Sequence, residues 1–182
     1  PAGYPWINIH VHEFAHLFGI ADQYELEPAV GPWCTMANGY ISWTGEPRLG
    51  RPHHLCPWCK RYLGWIDPPI IDPRKPVNIK LRPFQRTGDA VILPINDAGT
   101  RYLLLVNMQR VGFDARIGGT GLIIWEVDET KFPQTTLNIH EAHGSSSPTA
   151  SAEKLSEIPW PQVDRTEFRF AEAGAAFPSI AE

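Results

Sequence analysis

The amino-acid sequence predicts an α+β chain: one metal-binding helix and a long loop, then a short helix and a small, mostly antiparallel β unit. Three observations predict it. The motif His12-Glu13-Phe14-Ala15-His16 sits in a helical apolar pattern near the start. Glycines and prolines punctuate residues 20–54. After Pro68-Pro69 the apolar residues change from helical to strand-like spacing.

The helix is expected over residues 5–18. Positions i and i+4 lie on one face at 1.5 Å rise per residue, so His12 and His16 can close on one metal ion. Glu13 lies one residue beyond the first histidine, a place from which it reaches a water on that metal. Gly19 suits the left-handed cap that ends a helix, and the returning chain then delivers Asp22 as a third ligand. Three protein ligands with an open position is the pattern of a catalytic zinc. H-E-x-x-H also arises by chance on amphipathic helices. Here Ile7, Val11, Phe14, Ala15 and Phe18 form a separate stripe, expected to face the core while the histidines face away from it.

At this point a family is recognisable. The runs HEFAHLFGIADQYE, GPWCTMANGY, LCPWCKRYLGWI and GTGLIIWEVDE, in this order over about residues 6–130, resemble the immune inhibitor A family of secreted zinc metallopeptidases. That resemblance implies a metzincin-like domain with one catalytic zinc on His12, His16 and Asp22, and Glu13 as general base. It also implies that Met36 is the methionine of the turn beneath the metal, and that the protein is exported. The family places strands upstream of the helix, whereas this chain opens a few residues before it. The expectation is therefore the C-terminal part of a zincin/metzincin-like domain over 1–70, incomplete at its N-terminus, a β-rich subdomain over 71–140, and a loop and tail over 141–182.

With 182 residues and 43% apolar content, the chain can bury a substantial core. The net charge of −4 carries no basic run, so nothing points to nucleic acid, and no apolar run is long enough for a membrane span. No signal peptide is visible, and PAGYPWIN is read as the start of a fragment or processed product. The partner expected is a protein or peptide substrate.

The loop's aromatic residues Tyr24, Trp33, Tyr40 and Trp43 are read as core cover rather than substrate contacts. Cys34, Cys56 and Cys59 admit three readings. A disulfide from Cys34 to one of the pair suits an exported protein. A structural zinc site would use the three cysteines and His53 or His54. A redox C-x-x-C lacks the βαβ context it needs. Residues 55–63 are read as a short helix closed by Gly64, with Trp58, Leu63, Trp65 and Ile66 packing it against the metal helix. His53 and His54 are expected in a solvated turn.

Strands are expected at 77–81, 90–95, 102–108 and 122–127, with one more at 166–170. Asp114, Asp128 and Glu129 are candidate calcium ligands, with solvated surface acids as the default. His140-Glu141-Ala142-His143 imitates the zinc motif at the wrong spacing and is read as a surface feature. The leading function is a zinc endopeptidase. The alternatives are a metal-binding remnant without turnover, and hydrolysis of a non-peptide amide by the same chemistry.

Overall fold

The computed structural model describes residues 7–23, 30–37, 39, 52–130, 132 and 135–140. The chain is α+β, with a four-stranded antiparallel sheet in the order β1-β2-β3-β4. The strands are β1 (Ala90–Pro94), β2 (Arg101–Met108), β3 (Gly121–Asp128) and β4 (Thr136–His140). The helices are α1 (Ile7–His16), α2 (Pro57–Tyr62) and α3 (Phe84–Thr87). Among the described residues no helix is long and apolar enough to cross a membrane.

The sheet forms because apolar residues alternate along its strands and meet in register. Ile92 lies beside Leu104, Leu104 beside Trp125, and Trp125 beside Ile139, a buried row across all four strands. Tyr102, Val106 and Met108 extend the same face. This core is continuous with Ala15, Ile20, Trp33, Met36 and the three cysteines, so it runs across the division expected at residue 70.

Three sequence expectations change here. The stretch 77–81 forms no strand: Val77 and Ile79 are exposed, and Pro76 and Pro83 flank the run. Prolines cannot donate to a ladder, and no layer covers these side chains. A strand that was not expected, β4, pairs with β3 instead. Its Leu137 and Ile139 point into the core, while His140 lies 2.9 Å from Glu126. His140 is therefore a sheet residue and not part of a surface motif; Glu141 and His143 lie outside the described residues. So do Tyr24, Tyr40 and Trp43 and the strand expected at 166–170, whereas Trp33 is buried in the core.

The third change concerns α2. Its Gly64 adopts φ 70°, and Trp65 N–H donates to the Lys60 carbonyl at 2.8 Å, closing the helix as expected. The helix packs on the sheet at β2 and shares the core with Ala15 of α1, whereas Trp65 is exposed. One carboxylate oxygen explains the docking. Glu129 Oε1 accepts from Trp58 Nε1 at 2.8 Å, Tyr102 OH at 2.9 Å and Arg61 Nη1 at 3.2 Å. Tyr102 is pushed well above the ordinary phenol range, chiefly by burial.

Glu129→Ala strands these donors and should destabilise the chain by roughly 2–3 kcal/mol, the range for hydrogen bonds to a charged group. Glu129→Gln, which keeps an acceptor, should cost less; urea unfolding measures both. A pH dependence follows from Glu126. Burial raises its pKa, but hydrogen bonds from His140 and Arg101 outweigh that and leave it below the ordinary value. Its contribution is present above the unfolded carboxyl pKa of about 4.3 and is lost as pH falls through the depressed folded value. Stability profiles of wild type and Glu126→Gln should therefore converge in acid.

Candidate metal centre

Helix α1 buries Asn8, His12 and Ala15 and leaves Ile7, Val11, Phe14 and Phe18 exposed. This reverses the expected orientation, in which the apolar stripe faced the core. Of the expected stripe only Ala15 lies inward, beside His12, whose Nδ1 is 2.8 Å from the Thr35 carbonyl in the loop beneath. Phe14 and Phe18 instead pack edge-on against each other, with ring centroids 5.4 Å apart.

Beyond α1 the chain reverses at Gly19, where φ is 81°. Gly19 N–H donates to the His16 carbonyl at 2.9 Å, and the turn brings the Ile20 carbonyl to 2.8 Å from His16 Nδ1. A carbonyl oxygen can only accept, so both Nδ1 atoms carry the proton. In the neutral ring each Nε2 carries the lone pair, and both Nε2 atoms face Asp22. Asp22 Oδ1 lies 3.0 Å from His12 Nε2 and 3.5 Å from His16 Nε2. Donors held at about 2.0–2.1 Å from one tetrahedral ion stand about 3.3 Å apart.

A divalent cation between two neutral imidazole nitrogens and a carboxylate oxygen at these separations would be held by all three. Asp22 Oδ1 is buried, and no hydrogen-bond partner beyond these two nitrogens satisfies it, which suits a metal ligand. His12, His16 and Asp22 form a group able to hold a metal ion. The His12 side chain is 5% exposed, against 32% for His16 and 24% for Asp22, so the site opens on the His16 side. Glu13 follows His12 on the helix and is exposed.

Met36 lies in a tight turn, with Ala37 N–H donating to the Cys34 carbonyl at 3.0 Å and Gly39 N–H to the same oxygen at 2.8 Å. Its side chain is fully buried, and its carbonyl accepts from Gln23 N–H at 2.7 Å, one residue past Asp22. One turn thus contacts both flanks of the site, through Thr35 to His12 and through Met36 to the chain beside Asp22. A hollow of about 490 Å³ bounded by residues 65–69, 79–81 and 87–91 contains none of these residues.

No family model, curated protein or solved structure matches this chain.

The second group able to hold a metal is Cys34, Cys56 and Cys59. All three thiols are free and lie together as one group of three. Each sulfur has the others as neighbours, which leaves no separate pair. His53 and His54 are not in a solvated turn. His53 is buried, with Nδ1 2.6 Å from the Pro32 carbonyl. His54 Nδ1 accepts from Lys60 Nζ at 3.1 Å. Burial and the Lys60 ammonium hold His54 below the ordinary imidazole range.

The calcium candidates do not converge. Asp114 is wholly buried and accepts from His54 N–H at 2.8 Å. Asp128 accepts from Thr130, and Glu129 holds α2 to the sheet. Burial corrects the default for Asp114, which is not a surface acid. The sequence offered no signal for Thr35 and Ile20, because both act through backbone carbonyls that any residue supplies.

Gly39 is needed where it stands. A Cβ there would lie 2.6 Å from the Cys34 carbonyl carbon and 3.0 Å from the Pro32 oxygen, both backbone atoms. Gly39→Ala should destabilise the chain by the roughly 1–3 kcal/mol of an overpacked interior. It should also weaken metal binding at the histidines, because Thr35 shifts with the turn; denaturation and competition with a chromophoric chelator measure the two effects.

Proposed function

We propose that this chain is the zinc-bearing part of a metallopeptidase, hydrolysing peptide bonds with Glu13 as the general base. The observation that carries the proposal is the convergence of His12 Nε2 and His16 Nε2 on the buried Asp22 Oδ1. Backbone carbonyls set both imidazole tautomers, the outer-shell arrangement common around metal-bound histidines. The motif resemblance to the immune inhibitor A family adds support, and with it the expectations of a metzincin-like catalytic domain and of export. A protein or peptide is the substrate class.

Zinc held there supplies a Lewis acid and lowers the pKa of water toward about 7. His12, His16 and Asp22 would hold the ion, with substrate approaching from the side that His16 and Asp22 leave open. Glu13 takes the proton of the attacking water and passes it to the departing amine nitrogen. Met36 does no chemistry; it fills the buried turn beneath the site.

A second reading is a metal-binding segment without turnover. The exposed row of Ile7, Val11, Phe14 and Phe18 favours it, because a complete cleft would be expected to cover such a face. The same zinc chemistry on a non-peptide amide is a third.

Glu13→Ala should keep its zinc while cleavage of casein falls by at least a hundredfold, the lower range for loss of a general base. His16→Ala should lose both. Full activity in Glu13→Ala would falsify the peptidase mechanism. Zinc binding without cleavage of casein, gelatin or simple amides in the wild type would select the second reading.

A further inference from the structure

We propose that Cys34, Cys56 and Cys59 form a second, structural zinc site that clamps the turn beneath the histidines to helix α2. This site stands independently of the peptidase reading, because none of its ligands belongs to the histidine centre.

The sulfur geometry carries the inference. Cys34 Sγ lies 3.8 Å from Cys59 Sγ, and Cys56 Sγ lies 3.4 Å from Cys59 Sγ. Thiolates at about 2.3 Å from one tetrahedral zinc stand about 3.8 Å apart. Cys56 and Cys59 come from one C-x-x-C, with Cys56 capping α2 and Cys59 within the helix. Cys34 arrives from a turn more than twenty residues upstream in the chain. A C-x-x-C and a distant cysteine supply three of the four ligands of a tetrahedral zinc.

The surroundings suit bound thiolates. Cys56 N–H donates to Cys34 Sγ at 3.3 Å, which stabilises negative charge on that sulfur. Lys60, the next residue after Cys59, places its ammonium 3.1 Å from His54 Nδ1 and 4.3 Å from the centre of the Phe84 ring. Three thiolates on a divalent ion leave one net negative charge, which this ammonium offsets.

Other uses of the cysteines fit less well. Thiol–disulfide exchange needs an accessible sulfur, whereas the three residues are at most 1% exposed. Apolar packing explains burial but not three sulfurs brought within 4.8 Å of one another. A clamp has a consequence in the fold. It fixes Cys34, and the next two residues carry the carbonyls that meet His12 and the chain beside Asp22.

Metal content and cobalt exchange test the site on the full chain. Wild type should carry two zinc ions, and His12→Ala/His16→Ala one. After cobalt exchange, both proteins should show the near-ultraviolet charge-transfer bands of thiolate-bound cobalt. Cys56→Ser/Cys59→Ser should lose those bands; because that variant risks misfolding, the histidine variant is the decisive protein. Cobalt-loaded protein without the bands would overturn the site. So would a native mass two hydrogens low, the mark of a disulfide. One zinc in both proteins, with the bands retained, would uphold this site and remove the histidine centre instead.

Discussion

Two carbonyl oxygens decide which nitrogen each imidazole presents to the centre. Thr35 and Ile20 each sit 2.8 Å from an Nδ1, and a carbonyl has no proton to give. The protons are thereby placed on Nδ1 and the lone pairs on Nε2. Were a tautomer reversed, an N–H would point at Asp22 and the group would be a plain hydrogen-bonded cluster; were a ring flipped, a C–H would stand there. The rest of the structure can be understood as support for those two contacts.

That support is layered. Gly19 takes a left-handed conformation that carries Ile20 back over the end of α1, so the cap of the helix also orients His16. Thr35 is held by its neighbours: its N–H donates to the His54 carbonyl at 3.2 Å and its hydroxyl to the His53 carbonyl. The segment carrying those residues runs directly into α2, which Glu129 fastens to the sheet. The β unit, with no ligand of its own, thus anchors the platform under the histidines. A continuous core from Ala15 to Ile139 is the physical form of that link.

Much of the site was legible in the sequence because helical spacing and glycine chemistry are local. The i, i+4 histidines, the stop at Gly19 and the return of Asp22 need only backbone geometry. The closure of α2 at Gly64 and most of the strand pattern were equally local. The direction α1 faces was not. Its apolar row is regular, yet burial follows where binding partners lie, and the partner of His12 is a carbonyl twenty-three residues away. Stretch 77–81 failed for a related reason: it has strand-like composition, but its Val77 and Ile79 side chains are exposed, and its contact with β2 is the Leu81 carbonyl accepting from the Asn107 side chain. Strand β4 was missed because only two of its residues, Leu137 and Ile139, carry the inward alternation.

By itself, then, the sequence determined the donor types, their spacing, the helix ends and an antiparallel β unit, since each depends on residues close together in the chain. Tertiary structure alone decided the imidazole tautomers, the grouping of Cys34 with Cys56 and Cys59, the burial of Asp114 and the exposure of Ile7, Val11, Phe14 and Phe18. Those depend on contacts between distant segments, and composition carries no record of which carbonyl or sulfur will lie opposite a given side chain.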